Sequence, residues 1–315
     1  MQSTENIKKK NDYLNKNSFD IVGVEDDFQE ISRPRVSYYK DAWRRFKQNK
    51  VALFALFILF ALIIFVVVPP MLSSTTFNQI DKLSRNLKPC SDHLFGTDKL
   101  GRDLLLRVAV GGRVSIVIGI AGAFITSILG CIYGGISAYF GGRVDDIMMR
   151  IVEILICIPY LIIVILMSLI LKSESIGTLI LAMTITGWCG VARLVRGQIL
   201  QIKSEEYILA AKAMGVSSFR IVTKYMIPNV IGIVIVQITF AIPGYIFGEA
   251  FLSYIGLGIQ SPGTSWGALA SSAQPMLAYH PYQLFFPSLM IALTMLSFTL
   301  VGDGLRDALD PKMRK

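Results

Sequence analysis

The stretch VALFALFILFALIIFVVVPPM, residues 51–71, decides the class of fold. It carries no charge, and a bilayer core about 30 Å thick takes roughly 20 apolar residues at a helical rise of ~1.5 Å each. A helix satisfies its own backbone hydrogen bonds in lipid, so this segment can cross alone. Working outward, residues 114–140, 151–171, 176–192, 226–254 and 283–302 are further apolar segments, of which 176–192 is marginal in length. The expected fold is an all-α integral membrane protein with six transmembrane helices. Composition agrees, since 53% of the 315 residues are hydrophobic and 17% charged. The mean hydropathy of +0.55 lies outside the soluble range.

The first apolar run begins only at residue 51, after a polar tail with charges of both signs, so it reads as a retained anchor and not as a secretory signal. The net charge of +9 does not point to nucleic acid, because the Lys and Arg residues sit beside the spans, where anionic lipid accounts for them. With the N-terminus inside, residues 35–50, 141–145, 193–225 and 304–315 carry about 17 Lys and Arg against about 8 on the other side. Both termini are therefore expected in the cytoplasm. The exception is 72–113, an expected external segment that carries Lys82, Arg85, Lys88, Lys99, Arg102, Arg107 and Arg113.

The chain divides into a mobile cytoplasmic tail (1–37), a basic interfacial helix with the first span (38–71), the external segment (72–113) and a five-helix core (114–315) with a cytoplasmic loop at 193–225. In the basic helix Tyr39, Trp43 and Phe46 follow i, i+4, i+7 spacing, which places rings in the interface and cations near phosphates. Thr97 or Asp98 is expected to cap a short helix leading to the second span, with Gly101 in a tight turn. Gly130, Gly134 and Ala138 are spaced for close helix packing, and Pro159 and Pro243 predict kinks or breaks.

Charges within spans need partners. Arg150 and Glu153, three apart, are expected to pair, whereas Glu249 has three open roles: bonding neighbouring backbone, lining a gate or touching substrate. Cys90, Cys131, Cys157 and Cys189 lack CxxC spacing, and three of them fall in apolar spans as small buried residues. His93 and His280 stand without a nearby ligand cluster, so no metal site is expected. Neither GxxxxGK[ST] nor HExxH occurs. Gly263-Thr264-Ser265-Trp266-Gly267 matches GxSxG, but it follows a membrane helix in a loop without the strand that a nucleophile elbow requires. A secondary carrier would suit six spans, but matching halves and a clear midplane charge are lacking.

EYILAAKAMGVSSFRIVTKYMIPN, residues 206–229, interrupts the apolar pattern on the side of the basic flanks. Ser204 can cap a helix with Glu205 and Glu206 in its first turn, and Gly215 can supply a left-handed stop after Met214. A second helix can start at Ser217 or Ser218 and run to Pro228, which ends it or begins the fifth span. Small residues at Ala210 and Ala211 suit docking into a partner's groove; a hairpin that serves only topology fits the spacing equally well.

Ala210-Ala211, three residues, Gly215 and then Pro228 resembles the cytoplasmic loop of binding-protein-dependent ABC importer permeases. That family's pattern is Glu-Ala-Ala, three residues, Gly, nine residues, Ile, one residue, Leu-Pro. Here Leu209, Tyr225 and Ile227 replace the Glu, Ile and Leu. HLFGTDKLGRD (93–103), EAFLSYIGLGIQSPGTSWG (249–267), VGDGLRDALDP (301–311) and the entry SYYKDAWRRFKQNKVAL (37–53) resemble the C-type subunit of the oligopeptide/dipeptide branch. The resemblance implies a type I importer core that pairs with a second, similar permease, two cytoplasmic ATPases and an external binding protein delivering peptides. No catalytic residue and no cofactor would belong to this chain itself.

By that resemblance Glu206, Leu209, Ala210, Ala211, Gly215 and Pro228 belong to the ATPase-coupling loop. Glu249, Ser253, Gly256, Gly258, Ser265, Trp266 and Gly267 are gate or packing candidates, and Asp98, Gly101, Arg102 and Asp103 form an external motif. Asp303, Arg306, Asp307 and Asp310, at the inner end of the last span, are open to local ion pairs or ATPase contacts. Nickel or another small solute in place of peptide is the alternative cargo, and a proton-coupled carrier a more remote reading.

Overall fold

The computed structural model describes residues 38–171 and 175–309. Asp310 and the 1–37 tail lie outside the described residues. Helix α1 (Tyr38–Gln48) leads to α2 (Lys50–Leu72), whose N-terminus is capped by Asn49 accepting from the Ala52 N–H at 3.1 Å. Only Ala52, Ala55, Leu59, Leu62 and Val66 of α2 are buried, a narrow inward stripe on a helix that is apolar all round. That is the pattern of a helix whose other faces meet lipid. In α1, Phe46 packs beneath α2, while Trp43 stacks on it at 5.7 Å and stays half exposed under the Lys47 ammonium.

The remaining spans differ from expectation at their ends. Helix α3 (Leu104–Phe140) starts ten residues before the expected second span, so the polar loop ends at Asp103 and not at residue 113. The third span is two helices, α4 (Gly142–Cys157) and α5 (Tyr160–Leu171), bent by 85° at Ile158 and Pro159. Pro159 lacks an N–H and forces Ile158 into an extended conformation, which breaks the ladder. Helix α6 (Ile176–Lys203) runs eleven residues past the expected end.

Two short helices follow, α7 (Glu206–Ala213) and α8 (Ser218–Arg220), then a π-helical turn (Ile221–Met226) that passes directly into α9 (Ile227–Tyr254). Pro228 therefore stands in the first turn of α9 and begins it, one of its two expected roles, although helical backbone runs on into it from the π-helical turn. The wide turn accommodates its ring, and the Asn229 amide donates to the Tyr225 carbonyl at 2.6 Å. Pro243 sits inside α9 without interrupting it. Helix α10 (Trp266–Ala273) and α11 (Pro281–Leu309) complete the chain. Five of these helices are long and apolar enough to cross a membrane, and the bent pair makes up to six.

The central contact joins α3 to α6, with Gly130 and Gly134 of α3 against Val191 and Ala192. Small residues there let the backbones approach, as the spacing predicted. Helix α9 closes on α3 through Ile242 and Ile246 packed on Ala123, and α11 lies on α2 through Val301 and Ala308. The antiparallel course collects α1, α7 and the end of α11 at one end of the bundle, and the 73–103 loop and α10 at the other.

Arg113 joins α3 to the last turn of α2. Its Nε and Nη2 donate to the carbonyls of Val66 and Val67, both at 3.0 Å. Pro70 has no N–H, so the Val66 carbonyl, four residues earlier, lacks its helical donor and Arg113 replaces it. Arg113→Leu is expected to lower the melting temperature of the purified chain, because the buried Val66 carbonyl loses a hydrogen bond worth about 1–3 kcal/mol. An unchanged melting curve would count against that bridge.

Candidate functional site

At one end of the bundle, α7 stands on the ends of α3, α6 and α9. Its N-cap is Glu205, with no side-chain bond; Ser204, the expected cap, instead closes α6 by donating to the Gln201 carbonyl at 2.7 Å. Its C-terminus carries the expected left-handed glycine. Gly215 has φ +75, its N–H bonds the Lys212 carbonyl at 2.9 Å, and the Val216 N–H bonds that of Ala211 at 3.1 Å.

Ile208 and Ala211 are buried, Ile208 in a cluster with Ala138, Val195, Ile199, Met226 and Val230. The outward face carries Glu206, Leu209, Ala210 and Ala213, all exposed, flanked by Tyr207 and Met214. The alanine pair is thus split: Ala210 faces out, while Ala211, expected on the docking surface, holds the helix to its own bundle. The Asn229 amide donates to the Tyr207 hydroxyl at 3.2 Å, tying α7 to α9.

The helix ends beneath α7 are cross-bonded. Arg196 of α6 donates to both oxygens of Asp145 in α4, at 2.6 and 2.5 Å, and Ser137 of α3 donates to the same carboxylate. Lys203 Nζ donates to the Ala138 and Tyr139 carbonyls at 3.1 and 2.9 Å, closing the C-terminus of α3. The sequence reading missed this cluster, although opposite charges beside neighbouring spans were a signal for it. Arg150 and Glu153 pair at 2.9 Å on an exposed face. Asp303, Arg306 and Asp307 are exposed at the end of α11, and no ion pair within 4.0 Å joins them among the described residues.

At the opposite end the 73–103 loop is built around Asp98. Its carboxylate accepts from the Leu100 and Arg102 N–H groups at 2.8 and 3.0 Å and from Arg102 Nε at 2.7 Å, around a turn in which Gly101 has φ +78. Neither Thr97 nor Asp98 caps the helix that follows. Asp103 does, accepting from the Leu106 N–H at 2.9 Å while its other oxygen meets His93 Nδ1 at 2.8 Å. The Thr97 carbonyl accepts from Gln283 Nε2 at 2.9 Å, fastening the loop to α11. Close by, the exposed Asp81 carboxyl is held below the usual carboxylate range by the Ser84 hydroxyl and the Leu83 N–H.

Glu249 is fully buried in α9 and accepts from three hydroxyls: Ser115 at 2.9 Å, Ser253 at 2.7 Å and Ser265 at 2.6 Å. Its partners are side chains of three separate elements, not the neighbouring backbone. Ser265 caps α10, and Trp266 is buried with its Nε1 donating to the Val108 carbonyl at 2.8 Å. Gly256 (φ +84) turns the chain out of α9, Gly258 passes close to Ser253, and Gly267 lies against Ala250. The Ser265 hydroxyl donates to Glu249 while its oxygen caps α10, and no strand precedes it among the described residues, so the setting is not that of a nucleophile elbow. Cys157, expected among buried residues, is exposed at the end of α4; Cys90 is exposed in the 73–103 loop, and Cys189 is buried.

A bundle of apolar helices, strand-free among the described residues, with a bonded polar loop at one end and a short exposed helix at the other, is the arrangement of a multi-pass membrane protein. Residues 126–315 match the family model described as binding-protein-dependent transport system inner membrane component, and residues 37–89 match the N-terminal TM domain of oligopeptide transport permease C. The chain belongs to that family of ABC importer permeases, as a transport subunit of a prokaryotic cell membrane. It is 50% identical over 286 residues to the dipeptide transport system permease protein DppC of Bacillus subtilis (strain 168), covering 90% of this chain and 89% of that one. The oligopeptide transport system permease protein OppC of the same organism is 47% identical over 289 residues, 92% of this chain and 94% of its own. OppC of Haemophilus influenzae is 44% identical over 301 residues, 95% and 96% of the two chains.

Proposed function

We propose that this chain is the transmembrane subunit of an ATP-driven importer of oligopeptides or dipeptides. With a second permease it encloses the translocation path, and an external binding protein delivers the cargo. Two cytoplasmic ATPases grip α7, and residues 204–228 form the coupling loop, residues 193–203 being the last turns of α6. What supports peptide as cargo is the identity to relatives named as dipeptide and oligopeptide permeases over nearly their full lengths.

The single observation that carries the coupling is the two-sided character of α7. Ile208 and Ala211 seat it against the ends of three spans, while Leu209, Ala210 and Ala213 leave a flat apolar face uncovered. An apolar face of small side chains admits close approach by another backbone, and a helix seated on three spans moves them when it moves. Both termini are placed in the cytoplasm on the same reading. Of the seven cations at the opposite end, which oppose this orientation, three are engaged locally: Arg102 with Asp98, Arg107 with Asn78 and Thr264, and Arg113 with carbonyls.

The test places a photo-crosslinking amino acid at Leu209, Ala210 or Ile208 and co-expresses the ATP-binding subunits. Adducts are expected from positions 209 and 210 and not from 208. The complex in proteoliposomes imports peptide with ATP and without a proton gradient. Uptake that follows the gradient and ignores ATP would overturn the proposal.

A further inference from the structure

We infer that Glu249 is the positioning residue that fixes α10 across the bundle, acting through the hydroxyls of Ser115 and Ser265. The inference deepens the importer reading of the 249–267 block, but its geometry stands without that reading.

Helix α10 has eight residues, too few to be stable alone, and the first N–H groups of any helix lack intrahelical partners. Here the Trp266 N–H donates to Ser115 Oγ at 3.2 Å, and the Ala268 N–H to Ser265 Oγ at 3.0 Å. Each serine oxygen, having accepted, passes its own hydrogen to Glu249: Ser115 to Oε2 and Ser265 to Oε1. One carboxylate thus terminates two hydrogen-bond chains that begin at the helix N-terminus, the end that favours negative charge. Ser115 belongs to α3, Glu249 to α9 and Ser265 to the start of α10, so the relay ties three elements at one point.

The residue before Ser265 is held from the other side. Arg107 of α3, also buried, donates from Nη2 to Thr264 Oγ1 at 3.5 Å and from Nη1 to Asn78 Oδ1 at 3.2 Å. Consecutive residues Thr264 and Ser265 are therefore gripped by a buried cation and a buried carboxylate. A carboxylate removed from water is costly unless its oxygens are bonded, and three hydroxyl donors meet that need. Ser253 is the internal control, since its hydroxyl bonds Glu249 but the structure gives it no bond to α10.

Glutamine has the same shape and one acceptor oxygen fewer. Its amide would face the Ser115 hydroxyl with a donor, leaving a buried hydrogen without an acceptor. The experiment uses the full chain in membranes with its partner subunits, native cysteines replaced, and one cysteine at Ala273 on the buried face of α10 or at Ala308 at the far end of the bundle. N-Ethylmaleimide labelling is the probe.

Glu249→Gln is expected to raise the labelling rate at position 273 about tenfold and to leave position 308 within about twofold. Ser115→Ala and Ser265→Ala shift position 273 in the same direction, and Ser253→Ala does not. In proteoliposomes Glu249→Gln raises the ATP hydrolysed per peptide imported, a ratio that the amount of folded protein does not change. Equal labelling in parent and Glu249→Gln, a parallel rise at both cysteines, or a Ser253→Ala effect matching Glu249→Gln would overturn the inference. If Glu249→Gln does not accumulate, the three serine variants decide. Labelling needs neither ATP nor peptide, so its outcome is separate from that of the importer reading.

Discussion

Gly134→Val is expected to remove the protein from the membrane almost completely. A Cβ at this position collides with the Ala192 carbonyl oxygen, which belongs to the backbone of α6 and cannot rotate away. The two helices would have to separate along the most extensive helix–helix contact among the described residues, and Gly130 would lose its seat on Val191 at the same time. Overpacking costs about 1–3 kcal/mol where side chains can yield, and backbone against backbone lies beyond that range. Gly190→Ala on α6 is the control, because nothing lies within 4 Å of the added methyl, and its level should match the parent. Membrane abundance and monodispersity in detergent measure both. Normal accumulation of Gly134→Val would mean that α3 and α6 do not meet as described.

Ala210→Arg is expected to leave abundance unchanged and to lower ATP-driven uptake by a factor of about 30 or more. The side chain is exposed, so the fold has no stake in it, but a cation at the middle of an apolar docking face must be desolvated when a partner closes over it. Loss of one central contact costs about 2 kcal/mol or more at such surfaces, which sets the factor. Ala211→Arg, one residue along, should behave differently and abolish accumulation, since Ala211 is buried against the bundle. Paired measurements of abundance and uptake for the two variants separate the faces. Full uptake with Ala210→Arg would sink the assignment of that face to the ATPases.

The apolar runs were legible in the sequence because lipid selects them by composition, without reference to what they touch. Their ends were not, and the residues responsible are Arg107, Arg113, Arg193 and Arg196. A cation reads as the edge of a span, yet Arg113 is met by carbonyls 46 and 47 residues away and Arg196 by a carboxylate 51 residues away. No local pattern announces such partners. Proline was read correctly at Pro159, where Ile158 turns extended, and at Pro228, which stands in the first turn of α9, but the break expected at Pro243 does not occur, since α9 runs through it. At α7 the sequence showed the helix and its glycine stop but not which alanine faced inward, because apolar residues lie on both of its sides. Of the 249–267 block the sequence marked Glu249 and Ser265, and it missed Ser115 and Arg107, which lie more than 130 positions away from Glu249 and Thr264.

Helix α3 has 37 residues and is about 55 Å long, against a hydrocarbon core of about 30 Å. Arg113 bonds to α2 at the level where its two prolines end the apolar run, and a guanidinium does not sit deep in lipid. It therefore fixes the height at which α2 ends against α3. The turns from Leu104 to Arg113 rise about 15 Å above it as a stiff mast, with the 73–103 loop lashed near its tip through Arg107 and Asp103. Anything arriving from that side meets a landing stage at a fixed height, set by a single arginine below it.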